Sequence, residues 1–183
     1  MLVYSYKYLY FGGIKMTTMS LSELFEVGLS FESSVGEGTK SERARIPKNY
    51  SRINLPQETI DYITSIDKEI NFLVSGEIWC PDFQINITIL KKFCDLNPNF
   101  NISVITMARG KKYLSTILDI EKDNFKGPTI CVLDKELNLK GLFEERPESV
   151  KAVENFEDIK LDYYKGNYIL DSVNDFIKIM KTI

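Results

Sequence analysis

The chain has 183 residues, of which 44% are hydrophobic and 27% charged, an ordinary composition for a globular domain with one core. Its net charge is -3, with Lys and Arg spread along the chain, and no apolar run approaches the roughly 20 residues of a membrane helix. With no histidine, imidazole catalysis and most zinc sites are excluded, and we expect no nucleic-acid, membrane or metal partner.

Residues 1–18 are interpreted as a non-native or disordered N-terminal extension. Their first half is rich in tyrosine, Lys7 interrupts it and no small-residue cleavage site follows, so it is a poor signal peptide. The codons for Gly12-Gly13 can contain a bacterial ribosome-binding sequence, at a normal initiation distance before Met16. The alternative is a genuine but frayed extension. Residues 19–183 are expected to form a single domain.

The first part of this domain, residues 20–68, is predicted to add helices ahead of the core. Apolar residues at three- and four-residue spacings predict a helix over 20–29. Residues 32–52 are rich in Ser, Gly, Lys and Arg, which favours a loop. Pro56 is typical of a helix start, and the pattern after it predicts a second helix.

The second part, residues 69–183, alternates strands and helices. Short β-prone apolar runs predict strands at 70–74, 102–107, 129–133 and 139–143, and helical patterns are found at 81–96, 113–120, 148–164 and 169–182. Strands joined through a helix are parallel, whereas the last two strands, joined by a turn, form an antiparallel hairpin. The pattern predicts an α/β domain with a mixed sheet.

A Trp79-Cys80-Pro81-Asp82-Phe83 turn stands at the first strand-to-helix junction, and Gly127-Pro128-Thr129 begins the third strand. This arrangement resembles the thioredoxin superfamily, and more narrowly its bacterial thioredoxin-like branch with a WCPDC turn. Glu145-Arg146-Pro147 after the hairpin is a weaker match to that branch. The resemblance implies a three-layer α/β/α fold with a central mixed four-stranded sheet, possibly plus one strand, and extra N-terminal helices.

The resemblance also implies roles for individual residues. Cys80 is the nucleophilic thiol, Trp79 flanks it, Pro81 shapes the turn and Pro128 is a cis-proline beside the nucleophile. X-Pro bonds are the peptide bonds that readily adopt cis, which agrees with that role. The implied substrate groove comprises Trp79, Pro81, Asp82, Phe83, Gly127, Pro128 and Thr129.

Elementary electrostatics gives Cys80 a further reason to react. A cysteine at a helix start faces unpaired N–H groups and the positive end of the helix dipole, which favour the thiolate. Asp82 opposes this effect, because a nearby carboxylate disfavours a second negative charge. We expect a modestly lowered pKa for Cys80. Asp82 could accept a proton from Cys80 or simply be a first-turn carboxylate.

Phe83 occupies the position of the second cysteine, so the chain lacks the thiol that resolves a mixed disulfide. Cys94 lies 14 positions after Cys80 in the same predicted helix, about 21 Å away and beyond disulfide reach. Cys131 is expected to be buried near the edge of the site. We interpret Cys94 and Cys131 as core residues, and an odd number of cysteines favours a reducing cytoplasm.

These observations predict a monothiol thioredoxin-like protein that exchanges disulfides through Cys80, with an external thiol resolving the mixed disulfide. The partner is then a protein disulfide or a low-molecular-weight thiol, and no cofactor is required. The alternative is a catalytically inactive binding or adaptor protein on the same fold. The basic run at 109–112 could receive an anionic group, although a solvated loop is the simpler interpretation. The sequence does not indicate an oligomeric state.

Overall fold

The computed structural model describes residues 8–11 and 14–183. Strands β1 (Tyr8–Phe11) and β2 (Ile14–Thr17) pair antiparallel within the predicted N-terminal extension. For residues 1–7, 12 and 13 the interpretation as an extension lies outside the described residues. Its non-native origin stays a prediction.

A mixed four-stranded sheet forms the centre of the fold, with the order β4-β3-β5-β6. Strand β3 is parallel to β4 and antiparallel to β5, which is in turn antiparallel to β6. All four strands were predicted, although β4 begins and ends two residues earlier than expected. The strands are β3 (Ile70–Ser75), β4 (Phe100–Ile105), β5 (Thr129–Leu133) and β6 (Leu139–Glu144).

Helices cover both faces of the sheet. On one face, Phe93 of α6 (Pro81–Leu96) packs on Phe176 of α11 (Ile169–Met180). Phe176 packs in turn on Phe72 of β3, with the two ring centroids 6.5 Å apart. On the other face, α1 (Leu21–Glu26) and the helical stretch 107–117 pack Leu24 and Leu114 on the sheet. The three-layer α/β/α architecture implied by the sequence is therefore observed.

The helices that follow β3 are mostly those expected. Helix α6, at 16 residues, has the predicted bounds, and among the residues that the structure describes no helix is long and apolar enough to cross a membrane. The helix predicted at 113–120 starts earlier and contains a π-helical turn. These elements are α6 (Pro81–Leu96), α7 (Met107–Arg109), the π-helix Gly110–Leu114, α8 (Ser115–Ile117), α9 (Glu148–Lys151), α10 (Phe156–Lys165) and α11 (Ile169–Met180).

The loop predicted for 32–52 was wrong, because this segment contains short helices. Its serines and threonines act as caps: the Ser30 hydroxyl accepts from the Ser33 N–H, and Thr39 forms a capping box with Glu42. Ile46 is buried in the main core. The N-terminal helices are α1 (Leu21–Glu26), α2 (Phe31–Gly36), α3 (Lys40–Arg43), α4 (Arg45–Tyr50) and α5 (Gln57–Ser65).

The N-terminal segment also covers the outer edge of the sheet. Leu29 and Val104 exchange two backbone hydrogen bonds of 2.8 Å each, which forms an isolated bridge on the exposed side of β4. The Ser103 hydroxyl donates to the Phe25 carbonyl at 2.6 Å. An uncovered edge strand is a site for unwanted pairing, so this bridge protects β4.

Candidate functional site

The turn between β3 and α6 presents Cys80 just beyond the carboxyl end of β3. The Cys80 N–H donates to the Glu77 carbonyl at 3.0 Å, which closes the turn. The Gln84 side chain donates from Nε2 to the Ile78 carbonyl at 2.6 Å. Cys80 is the N-cap of α6 and Pro81 its first residue, a position where proline removes no hydrogen bond.

The Cys80 side chain is only partly accessible, whereas the neighbouring Trp79 is 64% exposed. Burial raises the pKa of the Cys80 thiol, and the Asp82 carboxylate raises it further. The N–H groups of Phe83 and Asp82 and the charge of Arg146 act in the opposite direction but do not compensate. The expected pKa depression was therefore wrong, because desolvation outweighs the helix N-terminus.

Asp82 is buried, and its carboxylate is held by Arg146. The Arg146 Nε donates to Asp82 Oδ1 at 3.1 Å and Nη2 donates to Oδ2 at 3.2 Å, a bidentate pair. Asp82 is thus a first-turn carboxylate, as one of the two predicted alternatives has it. Because both of its oxygens accept from Arg146, it is not a free proton acceptor for Cys80.

Aromatic rings enclose the guanidinium of Arg146. Its Cζ lies 3.6 Å from the centroid of the Phe156 ring and 5.8 Å from that of Tyr163. Tyr164 stands beside Tyr163, with the two ring centroids 5.2 Å apart. All three rings belong to α10, so this C-terminal helix borders the first turn of α6.

The segment 127–129 approaches the same turn from β5. The Gly127–Pro128 peptide bond is cis, Gly127 is partly exposed, and both Pro128 and Thr129 are buried, with Thr129 opposite Ser75 in the sheet. The Pro128 carbonyl accepts the Glu145 N–H at 2.7 Å.

A second hydrogen bond completes this link. The Glu145 carbonyl accepts from Asn86 Nδ2 at 3.1 Å, and the same amide donates to the Asp82 carbonyl at 2.9 Å. Two successive hydrogen-bonded contacts therefore connect Pro128 with α6.

Phe83 lies in the core and is only 1% exposed. Its ring packs directly on Gly76, where an added Cβ would overlap with the ring. The Phe83 side chain therefore points inward from the helix. Trp79 is the exposed aromatic residue of the turn.

A cavity of about 190 Å³ opens on the other side of Phe83. It lies at the carboxyl ends of β3 and β4, whose following helices cover opposite faces of the sheet, and this is where ligands of open α/β sheets commonly bind. Its lining includes Leu29, Gly76, Ile78, Phe83, Ile105 and Arg109. The N-terminal helices thus build one wall of a crevice beside the turn.

The other two cysteines are embedded in the protein. Burial raises the pKa of both Cys94 and Cys131 to about 12. Cys131 is fully buried within β5, and Cys94 is partly buried on α6. Across residues 8–11 and 14–183, all cysteines are free thiols, and no cluster of three or more His, Cys, Asp or Glu residues could hold a metal ion.

The basic run at 109–112 is helical and does not form the predicted solvated loop. Gly110 packs against Ser75 of β3, leaving no room for a Cβ, which fixes the segment on the sheet. Arg109 Nη1 donates to the Val27 carbonyl at 3.4 Å, and Lys111 pairs with the exposed Asp123 at 3.4 Å.

Sequence reasoning named most residues at this end of the sheet but missed how Arg146 is used. The weak match at Glu145-Arg146-Pro147 contained the signal, because an arginine after the hairpin is carried toward α6 by β6. Phe156, Tyr163 and Tyr164 gave no such signal, since aromatic residues in a helix most often indicate packing.

Comparison with known proteins identifies the family. A family model described as thioredoxin matches residues 28–160. A crystal structure of a protein of unknown function from Pseudomonas aeruginosa is 30% identical, with a TM-score of 0.83, and the match covers 90% of this chain and 98% of that one. An HIV epitope scaffold is 31% identical, with a TM-score of 0.83 and coverages of 90% and 99%. No curated protein matches the chain. The family match and the architecture agree: the chain belongs to the thioredoxin superfamily.

Proposed function

We propose that the protein carries out monothiol thiol–disulfide exchange through Cys80. The observation that carries this proposal is the position of Cys80, a partly accessible free thiol that caps α6 beside the exposed Trp79. Two successive hydrogen bonds through Glu145 link Pro128 to α6, and this proximity supports a substrate groove at this turn. The WCPDC-type resemblance gives the same assignment.

The proposed reaction has two steps. The Cys80 thiolate attacks one sulfur of a disulfide R–S–S–R, forms a Cys80–S–S–R bond and releases one RS⁻. An external thiol, as its thiolate, then attacks the R sulfur of that bond, forming a new disulfide and returning Cys80 as the thiolate. Electrons balance because the external thiol is oxidised as the original disulfide is reduced.

An external thiol is required because the other sulfurs are poorly placed. Phe83 fills the position of a resolving cysteine with a buried ring. Cys131 is enclosed in the sheet, and Cys94 is 14 residues along α6, about 21 Å at 1.5 Å per residue. A low-molecular-weight thiol of a reducing cytoplasm fits this requirement, and a protein disulfide or a mixed disulfide with such a thiol is the proposed substrate.

Treatment with oxidised glutathione, followed by peptide mass spectrometry, tests the proposal. We expect a mixed disulfide on Cys80 that reduced glutathione removes, and no adduct on Cys131. Adduct formation should accelerate as the pH rises above neutral, because the raised pKa of Cys80 keeps the thiolate fraction low at neutral pH.

Leu161→Cys supplies a matched control, since Leu161 is 74% exposed on α10. If the control cysteine is modified and Cys80 is not, the exchange proposal fails. Cys80→Ser should abolish the adduct while leaving the fold unchanged.

The second candidate is a catalytically inactive binding or adaptor protein. The crevice of about 190 Å³ and the partly exposed Val27 and Leu29 on its N-terminal wall favour this alternative. It predicts that Cys80→Ser preserves function in the host, whereas exchange predicts loss. Complementation of a deletion strain with Cys80→Ser separates the two candidates.

A further inference from the structure

The ion pair between Asp82 and Arg146 is an enclosed charged contact at the start of α6. The Asp82 side chain is 7% exposed and that of Arg146 19%, and both carboxylate oxygens accept hydrogen bonds from the guanidinium. A buried bidentate pair holds one geometry, unlike a surface pair between flexible chains. The pair therefore holds Asp82, the second residue after Cys80, in a fixed position.

We propose that Arg146 is a positioning residue for Cys80: it neutralises the Asp82 carboxylate and holds the first turn of α6, so that the thiolate forms beside a compensated charge. This inference rests on the proposed function of Cys80 as a nucleophile. Without Arg146, a buried carboxylate would stand two residues from the sulfur and repel a second negative charge. Both charges act on the thiol in the directions this requires, Asp82 raising and Arg146 lowering its pKa.

Helix α10 shields the pair from water. Phe156 stacks on the guanidinium of Arg146. Burial raises the pKa of Tyr163, and the nearby Asp82 carboxylate raises it further. Low dielectric strengthens both the pair and its influence on Cys80, so α10 takes part in setting the reactivity of the thiol.

Glu145, Lys126 and Tyr164 are further ionisable groups around the pair. Glu145 Oε1 lies 3.3 Å from Arg146 Nη2, and its other oxygen is 3.8 Å from Lys126 Nζ. Burial is the main cause of the raised pKa of Tyr164 on α10. The charges of Asp82, Arg146 and Cys80 also affect this pKa. Arg146 is thus the cation that contacts both carboxylates at this turn, and its removal leaves Lys126 paired with Glu145 alone.

A charge cycle with iodoacetamide as the probe tests the proposal. The rate of Cys80 alkylation, measured by peptide mass spectrometry from pH 6 to 10, reports the thiolate fraction without requiring any disulfide exchange. At pH 7, Asp82→Asn should accelerate alkylation roughly three- to tenfold and Arg146→Met should slow it by a similar factor. The double variant should return to within about twofold of the natural protein.

Lys160→Met is the matched control, because Lys160 forms an exposed pair with Glu157 on the same helix, α10. It makes the same change in net charge as Arg146→Met and should leave the rate unchanged. A purely structural role for the pair would move the rates of both single variants in the same direction, and that result would overturn the proposal. An equal effect of Lys160→Met would do the same.

Two further measurements keep the outcomes distinct. If circular dichroism shows that Arg146→Met does not fold, Asp82→Asn decides alone, and an unchanged pH profile for that variant refutes the proposal. In another outcome, oxidised glutathione forms an adduct on Cys80, but Asp82→Asn does not change the pH profile of adduct formation. That result supports the proposed function and rejects the role of the pair. A charge-dependent alkylation rate without any glutathione adduct supports the pair and rejects the exchange function.

Discussion

Replacing Phe83 with cysteine adds the second thiol that the resemblance to a WCPDC turn implies and removes a core side chain in the same step. Residues three apart on a helix of about 2.3 Å radius and 1.5 Å rise have Cα atoms about 5 Å apart, which is within the Cα separation of about 4.4–6.8 Å in disulfides. A cysteine at position 83 can therefore reach Cys80 in the first turn of α6. The cost is a cavity, because the Phe83 ring is 1% exposed and fills the space over Gly76.

The expected destabilisation is about 3 kcal/mol, at the lower end of the 3–5 kcal/mol typical of Phe→Ala because the sulfur fills part of the space. In a chain of this size each kcal/mol lowers the melting temperature by about 2–4 °C, so the melting temperature of reduced Phe83→Cys should fall by about 6–12 °C. Natural domains are stable by about 5–15 kcal/mol, so most of the protein should stay folded at 25 °C.

The assay is dithiothreitol-dependent reduction of insulin disulfides, together with thermal unfolding. Phe83→Ala is the matched control, because it creates a similar cavity without a thiol. Phe83→Cys should gain reductase turnover that Phe83→Ala lacks, while both melt at lower temperature. Unchanged stability of both variants would refute the core position of Phe83, and an inert but folded Phe83→Cys would favour the binding alternative.

Other consequences of the structure are open to direct measurement. Gly76→Ala places a Cβ against the Phe83 ring and should cost about 1–3 kcal/mol in urea unfolding, a loss that Phe83→Leu in the same chain should partly restore. Because burial raises the pKa of Cys131 to about 12, the unfolded chain loses this proton at lower pH than the folded protein. Stability should therefore fall above about pH 9, by up to ~1.4 kcal/mol per pH unit from this residue, and Cys131→Ala should make the decline shallower. Phe156→Leu removes the ring under Arg146 and should cost about 1 kcal/mol in thermal unfolding, whereas an equal stability would contradict the stacking.

The sequence was sufficient to predict the sheet because its strands have recognisable local patterns. β3 and β5 are short, wholly buried apolar runs, and α6 starts at Pro81 and stops before Pro98, so these bounds follow from backbone chemistry. The crossover rules then order the strands without further information. The loop prediction for residues 32–52 failed because a serine or threonine that caps a helix cannot be told from one in a loop by sequence alone. Only burial of residues such as Ile46 separates the two.

The site was less predictable because its properties depend on distant residues. The helix start favours the Cys80 thiolate, but the amount of desolvation depends on which elements cover the turn. Asp82 and Arg146 are 64 residues apart in the chain and meet at 3.1 Å. No spacing rule in the sequence predicts such a pair. The expected pKa direction for Cys80 was wrong because the burial of its thiol, the largest cause of the raised pKa, cannot be read from the turn alone.

The inward position of Phe83 limits what its difference from a WCPDC turn can affect. In a turn whose exposed face consisted of both thiols, losing one would remake the contact surface. Here the substituted side chain lies under the turn, against Gly76, while Trp79 and Cys80 remain accessible above it. The replacement therefore alters the chemistry of resolution and the packing beneath the turn but leaves the exposed groups of the turn in place. Binding a partner at this face does not require a reactive thiol at position 80, whereas disulfide exchange does, so the response of Cys80→Ser separates the two functions more sharply than any change at Phe83.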